Sequence, residues 1–175
     1  NIDDLDVKGI STNAPRIEYG FYLSAGWKGL AFSMQWTGLA NAEAIIMDLP
    51  FSINSSNSYG QALTEHLDHW TAENPNASYP RVSASGNTYN EKTSTFWLKD
   101  INFLRLKNIE LSYTLASSWV KPLHLSGVKV FANAYNLLTI TPLENRDPEL
   151  LKYMSDKTGI VPNIMAFNGG INIQF

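Results

Sequence analysis

Strict two-residue alternation over segments of about ten residues is the feature that most constrains this sequence. In residues 17–27 every second position is apolar or aromatic, while the positions between are mostly small or polar. Residues 166–175 alternate in the same way. Because successive side chains of a β-strand point to opposite faces, both segments predict strands with one apolar face. Helical periodicity is scarce, so the sequence predicts an all-β fold.

Five strands are predicted in total, and the connections between them alternate between short and long. The strands are expected at about 16–27, 29–40, 96–116, 127–141 and 164–175. Lys28-Gly29 predicts a tight turn, and 117–127 a short connection. The long connections, at about 1–15, 41–95 and 142–163, are expected to be extracellular loops. A short helix is predicted within the second of them, from Tyr59 to Trp70. Outer-membrane barrels have short periplasmic turns and long outer loops, and this order matches that rule with the C-terminus periplasmic.

The length of the strands and the chemistry of their polar face favour a membrane barrel over a soluble sandwich. A strand needs about 9–11 residues to cross the hydrocarbon, whereas soluble strands average about 5–6. The polar face consists largely of small uncharged residues. Aromatic residues lie near predicted strand ends, as in interfacial girdles: Trp27, Trp36, Tyr113 and Phe175. A soluble carbohydrate-binding β-sandwich also alternates and is kept as an alternative.

Composition excludes several other classes. Cysteine is absent, which excludes disulfides, thiolate metal sites and cysteine nucleophiles. The net charge of −3 argues against binding to nucleic acid. No apolar run is long enough for a membrane helix. Because no spacing places a carboxylate pair, a catalytic triad or a phosphate loop, we expect neither an enzyme nor a bound cofactor.

Two groups of residues resemble metal sites, but a structural role is favoured for each. His66 and His69 are three positions apart, with Glu65 and Asp68 beside them. On a helix they could form a metal-binding face, but packing of the helix against a loop or the lid partner is favoured, because such spacing is common by chance. An acidic cluster near the start, at positions 3, 4 and 6, lacks the glycine turn and distal glutamate of a calcium loop. The sequence therefore predicts no metal site.

An open five-stranded sheet cannot stand alone in lipid. Each edge would expose unpaired backbone groups, at a cost of several kcal/mol per group. Bacterial single-chain barrels also have an even number of strands. We therefore expect the chain to be a fragment that completes its sheet with the N-terminal part of the same polypeptide.

Several motifs resemble SusC/RagA-like TonB-dependent transporters. The segment 66–77 reads HLDHWTAENPNA and is followed by Tyr79-Pro80-Arg81. Further matching pieces are FWLKD at 96–100, FLRLKNI at 103–109, LSYTL at 111–115, VKVFANAYNLLT at 128–139, Asp147-Pro148-Glu149 and the closing strand with its final Phe175. Ala72 stands where the family usually has proline, which is a local departure within the loop.

This resemblance implies a location, a cargo and a set of partners. The fold would be the last five antiparallel strands of a barrel of about twenty-two strands in the outer membrane of Bacteroidetes, with the plug domain absent from this chain. The family imports oligosaccharides or peptides together with a SusD-like surface lipoprotein. Energy would come from TonB-ExbB-ExbD through the plug, and the barrel-assembly machinery would read the terminal Phe175. Outer-membrane lipid would surround the barrel. A siderophore or vitamin receptor of the same class is the alternative.

The resemblance and the alternation together suggest which residues meet lipid, lid or substrate. Lipid-facing positions of the closing strand are Phe167, Ile171, Ile173 and Phe175. Exposed loop aromatics that could contact the lid or the substrate are Tyr59, Trp70, Tyr79 and Tyr89. These could equally form a small core of the loop itself. Lumen-facing polar residues, expected to hydrogen-bond to the plug or along the wall, are Glu18, Gln35, Asn108, Glu110, Asn133 and Asn172.

Overall fold

The computed structural model describes residues 17–46, 64–82, 90, 92–144, 146–151 and 162–175. These residues fall into two compact units. The sheet unit comprises the described residues up to 44 and from 100 onward, and the loop unit comprises those within 45–99. None of the described helices has the length and apolar character needed to cross a membrane.

The main sheet of the structure has five antiparallel strands in the order β1-β2-β5-β6-β7. Their bounds are β1 Ile17–Trp27, β2 Leu30–Ala40, β5 Phe103–Thr114, β6 Gly127–Ile140 and β7 Ala166–Gln174. Two shorter strands, β3 Glu43–Ile45 and β4 Leu98–Asp100, form a separate two-stranded sheet. The predicted five-stranded antiparallel sheet is thus confirmed.

The single strand expected over 96–116 is divided in the structure, so that part of the prediction is wrong. A short 3₁₀ helix, Thr95–Trp97, precedes β4, and β5 begins only at Phe103. The break between the two strands is a turn held by side chains: the Asp100 carboxylate accepts the backbone N–H of Asn102 at 2.7 Å. The Asn102 amide oxygen in turn accepts the N–H of Ala42 at 2.9 Å. Such local side-chain bonds compete with the strand ladder and end it.

Three connections contain helical turns. Within the helix predicted from Tyr59 to Trp70, Thr64–Asp68 form a 3₁₀ helix, and positions 59–63 lie outside the described residues. The predicted end at Trp70 is wrong, because His69 leaves the helix and forms a β-bridge with Tyr79. The short connection after β5 contains α1 Ser117–Val120 and a 3₁₀ helix at Lys121–Leu123. The last loop contains α2 Pro148–Leu151.

The hairpin turn between β1 and β2 has the geometry that its sequence predicts. Lys28 and Gly29 both have positive φ angles, 47° and 89°, which is the signature of a type I′ turn. A side chain at Gly29 would place its Cβ 2.6 Å from the carbonyl oxygen of Thr114, so only glycine fits. The turn therefore fixes the register of the first hairpin and its approach to β5.

The strand register keeps most of the large apolar side chains on one face. Phe21 lies opposite Trp36, and Met34 lies opposite Ile109. Farther along the sheet, Val130 lies opposite Ile171. Register shifts occur in both ladders of β5, near Lys107, and Asn136 adopts a positive φ of 52° in the same region. Such bulges add a residue to one strand and so preserve the alternation on either side of it.

Buried side chains of the sheet unit concentrate near one end of the sheet, hereafter the loop end. The largest fully buried side chains are Leu39, Ile101 and Pro148. Leu39 is paired with Phe103, the first residue of β5, and Leu151 of α2 is also buried. The opposite end, where the short turns lie, is hereafter the turn end.

Candidate functional site

Of the four residues predicted to face lipid, Phe167, Ile171 and Ile173 lie on one face of β7, and Phe175 directly follows the strand. Phe167 is 69% exposed and Phe175 is 92% exposed; Ile171 and Ile173 are exposed as well. When a sheet packs on a core, the large apolar side chains of the packed face are normally buried. Here no described residue covers them.

The same exposed apolar face continues across the whole sheet. Its exposed members are Ile17, Tyr19, Phe21, Leu23, Trp27, Leu30, Leu111, Tyr113, Val130, Phe167, Ile171 and Ile173. Soluble monomers rarely expose apolar patches larger than a few hundred Å², and larger ones mark contact with a membrane or another protein. The face therefore requires an apolar environment.

Close packing within this face depends on glycine. The ring of Tyr19 occupies the space where a Cβ of Gly38 would lie, and its hydroxyl donates to the carbonyl oxygen of Phe103 at 3.1 Å. On the opposite face Phe131 covers Gly170 in the same way. An aromatic side chain that covers a cross-strand glycine shields the backbone of the neighbouring strand.

The opposite face of the sheet is polar, and several of its side chains pair across strands. Lys129 donates to Glu110 at 3.0 Å, and the Asn168 amide donates to Asn133 at 3.0 Å. Asn172 lies opposite Lys129 in the register, and Gln35 lies opposite Asn108. The side-chain oxygen of Asn108 is buried and has no hydrogen-bond partner among the described residues. The face thus presents a hydrogen-bonding surface of mixed charge.

A buried ion cluster fixes the last loop to the polar face at the loop end. Arg105 is 3% exposed and donates to Asp147 at 2.7 Å and to Glu149 at 2.6 Å. Its Nε also donates to the hydroxyl of Thr139 on β6 at 2.9 Å. We refer to Arg105, Asp147 and Glu149 as the loop clamp. Because charge-assisted bonds to a planar guanidinium are strong and directional, the clamp sets the position of α2.

Three further contacts complete the loop clamp. Lys107 donates to Glu149 at 2.8 Å. The Asn163 backbone N–H donates to Asp147 at 2.9 Å, and its side-chain amide donates to Glu149 at 3.1 Å. Asn163 lies shortly before β7, whereas Asp147 and Glu149 lie in the earlier described stretch of the loop. The clamp therefore joins these two described stretches. A cleft of about 320 Å³ beside it is lined in part by Glu18, Thr37 and Glu149.

The surroundings of Asp147 favour its charged form. Burial raises the pKa of the carboxyl, but the hydrogen bond from Arg105 and the backbone N–H of Asn163 outweigh burial and leave the pKa below its ordinary value. Asp147 is therefore ionised at neutral pH. Sequence reasoning missed it: Arg105 was read only as part of a strand motif, and Asp147-Pro148-Glu149 only as a loop motif. Strict alternation backward from Ile109 would place Arg105 on the apolar face, and a charged side chain there was the available signal for a bulge in the strand.

An aromatic cluster forms the centre of the loop unit. Trp97 is 5% exposed and packs against Ile45, Tyr79 and Val82. Its indole N–H donates to the carbonyl oxygen of Asn90 at 3.0 Å, which satisfies the polar atom of a buried tryptophan. The ring of Phe96 meets that of Trp97 edge to face at 4.8 Å.

Two of the four predicted lid or substrate contacts come together in this unit. Trp70 and Tyr79 line a cleft of about 580 Å³ together with Arg81, Phe96 and Trp97. Trp70 is exposed, whereas Tyr79 is half-buried. Tyr59 and Tyr89 lie outside the described residues. The cluster around Trp97 shows that part of this aromatic set forms a small core, while Trp70 keeps a face toward solvent.

The segment 68–79 closes on itself through Asp68. Its carboxylate accepts the N–H of Ser78 at 3.2 Å and the side-chain amide of Asn74 at 3.3 Å. Hydrogen bonds from Ser78 lower the pKa of Asp68. The backbone N–H of Trp70 donates to the backbone carbonyl oxygen of Tyr79 at 3.0 Å, so the two ends of the segment are paired. The His66 side chain lies outside the described residues, and within the described ranges no group of three or more His, Asp or Glu residues could hold a metal ion.

Comparisons with known proteins show the same resemblance as the motifs. No protein-family model matches the chain. TonB-dependent receptor P3 of Formosa agariphila is 23% identical over 185 residues, which cover 99% of this chain and 18% of the receptor. The RagAB peptide transporter has a TM-score of 0.72 and 28% identity over 94% of this chain and 18% of the other. The RagAB peptide importer in its closed-closed state gives a TM-score of 0.71 and 27% identity, over 99% and 19%.

These comparisons agree with the predicted fold and with the resemblance of the motifs. The chain is similar to SusC/RagA-like TonB-dependent transporters, as its motifs predicted, and the antiparallel sheet matches the RagA barrel fold. The chain spans about a fifth of the length of the proteins that it matches.

Proposed function

We propose that this chain forms part of the barrel wall of a SusC/RagA-like TonB-dependent importer in the bacterial outer membrane. The observation that carries this proposal is the apolar face that stays exposed across all five strands while the other face is polar. Lipid would cover the first face, and the second would line the lumen, where Glu110 and Lys129 pair. The remaining strands and the plug would come from the rest of the same polypeptide.

The length of the strands and their unpaired edges support lipid, rather than a second sheet, as the cover of the apolar face. The strands contain 9 to 14 residues, enough to cross the hydrocarbon. The outer edges of β1 and β7 have no partner strand among the described residues. In lipid both edges would have to be paired, which further strands of a closed barrel would do. A soluble carbohydrate-binding β-sandwich would instead cover the apolar face with a sheet.

A pair of adjacent substitutions on β7 tests which face meets lipid. Arginine at the lipid face near the bilayer midplane destabilises a barrel by about 2–4 kcal/mol, whereas lumen positions tolerate polar residues. In the full-length protein, Ile171→Arg should therefore lower the temperature at which the folded band is lost in heat-modifiable electrophoresis. Asn172→Arg is the matched control on the other face and should have little effect. Equal effects of the two variants, or recovery of the wild-type protein in a soluble fraction without detergent, would contradict the proposal.

The cargo that we propose is oligopeptide or oligosaccharide, taken up with a SusD-like lipoprotein and driven by TonB-ExbB-ExbD. The similarity to the RagAB peptide importer supports the peptide arm. Uptake of labelled oligopeptides and oligosaccharides by cells with and without the full-length gene would separate the two. Uptake of an iron-siderophore complex instead would support the alternative receptor class.

We further propose that the exposed face of Trp70, beside Tyr79 and Arg81, contacts the lid lipoprotein or the cargo. The support is the open aromatic cleft of about 580 Å³ in the loop unit. Trp70→Ala should weaken co-purification of the lipoprotein or uptake of the cargo. Leu67→Ala, which alters another exposed apolar residue of the same segment, is the control. Unchanged co-purification and unchanged uptake would remove Trp70 from both roles.

A further inference from the structure

The turn end of the sheet exposes several large apolar side chains. Trp27 at the end of β1 is 70% exposed, and Trp119 of α1 is 64% exposed. Leu123, which ends the following 3₁₀ helix, is 67% exposed. Val120 between them is buried and anchors the connection. The connection therefore holds Trp119 and Leu123 in place without covering them.

Cations lie directly beside these apolar side chains. The Lys28 ammonium is 5.0 Å from the centre of the Trp27 ring, a distance at which a cation is attracted to the ring face. Lys121 follows α1 and is exposed. In the three described stretches that reach this end, 23–34, 109–131 and 171–175, the single acidic residue is Glu110, and it is paired with Lys129. Among the described side chains of these stretches, Lys28 and Lys121 therefore have no acidic side chain beside them, and they give this end local positive charge.

Hydrogen bonds place the two turns on one rim. The carbonyl oxygen of Gly29 accepts the N–H of Thr114, the last residue of β5, at 2.8 Å. Ser126, at the other end of the connection, donates to Gln174 of β7 at 2.8 Å. Neighbouring strands are about 4.8 Å apart, so the two turns are separated by roughly 10 Å along the rim. Lys28 and Lys121 both have long side chains that can cover part of that distance.

We infer that this rim, comprising Trp27, Lys28, Trp119, Lys121 and Leu123, binds anionic glycerophospholipids of the leaflet on the turn side. The inference rests on the proposed membrane barrel. Tryptophan side chains concentrate at the boundary between headgroups and acyl chains, because the ring is apolar and its N–H is polar. The exposed Leu123 side chain adds apolar surface that acyl chains can cover. Lysine side chains extend from that level toward the phosphodiester. A basic rim discriminates by charge, so an anionic headgroup binds better than a zwitterionic one.

The test measures lipid binding to the full-length transporter in detergent by native mass spectrometry. Phosphatidylglycerol and phosphatidylcholine are titrated separately as probes. Removing one interfacial lysine should weaken phosphatidylglycerol binding roughly five-fold, and K28Q/K121Q more than ten-fold. Phosphatidylcholine binding should change little. K28R/K121R keeps both charges and should retain the wild-type preference.

Two lysines of the loop unit provide the matched control. K92Q/K99Q removes the same charge from exposed positions of the loop unit, none of which belongs to the rim, and should leave the preference for phosphatidylglycerol unchanged. An equal loss in both glutamine variants, or no loss in K28Q/K121Q, would overturn the inference, as would capture of a protein partner by the rim in place of lipid. If the wild-type protein shows heat-modifiable migration but no preference between the two lipids, only this inference fails. If it shows neither membrane recovery nor heat-modifiable migration, the proposed function fails first.

Discussion

The sheet unit and the loop unit use aromatic side chains in opposite ways. In the sheet unit, Phe21, Trp27 and Phe167 remain exposed, and the strands are held by backbone ladders. In the loop unit, Trp97 is buried in a small cluster, and a carboxylate ties the adjoining segment together. The exposed aromatic side chains of the sheet unit need an apolar environment outside the chain. In the loop unit, neighbouring side chains provide that environment for Trp97. Stability in the loop unit should therefore depend on a few side chains, and stability in the sheet unit on its register, the loop clamp and its surroundings.

The loop clamp is the exception within the sheet unit, because there a polar cluster is buried. Removing one partner of a buried ion pair leaves an uncompensated charge and costs about 3–5 kcal/mol. We therefore expect Arg105→Ala to give the largest loss of unfolding free energy among the changes considered. Unfolding of the full-length protein in urea with lipid vesicles would measure it.

Lys107→Ala is the control for the clamp variant. Lys107 contacts the same Glu149 carboxylate but is partly exposed, and pairs in contact with solvent contribute about 0–1 kcal/mol. Equal losses for Arg105→Ala and Lys107→Ala would show that burial of the clamp does not determine its strength.

The second prediction separates the two units. Trp97→Ala should destabilise the loop unit by about 3 kcal/mol, because a buried aromatic side chain and the cluster around it are lost. Hydrogen exchange at residues 70–82 should become faster. Exchange in β6 should stay unchanged, since the cluster consists of loop-unit residues. Phe96→Ala removes an exposed neighbouring ring and should have a smaller effect. Faster exchange throughout β6 in Trp97→Ala would contradict a role of Trp97 confined to the loop unit.

The sequence predicts the sheet better than the side-chain clusters, for a physical reason. Alternation is a local property of consecutive residues, so the apolar face and the Lys28-Gly29 turn could be read directly. The break at Asn102 depends on a bond to Ala42, sixty positions away. The loop clamp likewise joins Arg105 to residues more than forty positions later. Contacts of that range are set by folding, and no local pattern encodes them.

The third prediction tests the close approach of two strands in the sheet unit. Gly38→Ala would place a methyl group in the space occupied by the Tyr19 ring and should cost about 1–3 kcal/mol as the ring is displaced. The loss would appear as a lower temperature for conversion of the heat-modifiable band. Gly26→Ala, where a Cβ would make an ordinary 3.7 Å contact, is the matched control. The double variant Gly38→Ala with Tyr19→Leu should recover part of the loss, and failure to do so would show that the ring is not the obstacle.

The smallest expected effect is that of acid pH, and it compares one carboxylate of the sheet unit with one of the loop unit. Asp147 in the clamp and Asp68 in the loop unit both have a pKa lowered from 3.8. A carboxyl with a depressed pKa stabilises the folded state above its unfolded pKa, and this contribution is lost as the pH falls through the folded value. Between pH 7 and about pH 5 we therefore expect no change, followed by faster proteolysis of the last loop below about pH 4. Asp147→Asn should remove much of that pH dependence in the last loop, while Asp68→Asn should remove it only in segment 68–79. A loss that begins near pH 6 would point to groups other than these carboxylates.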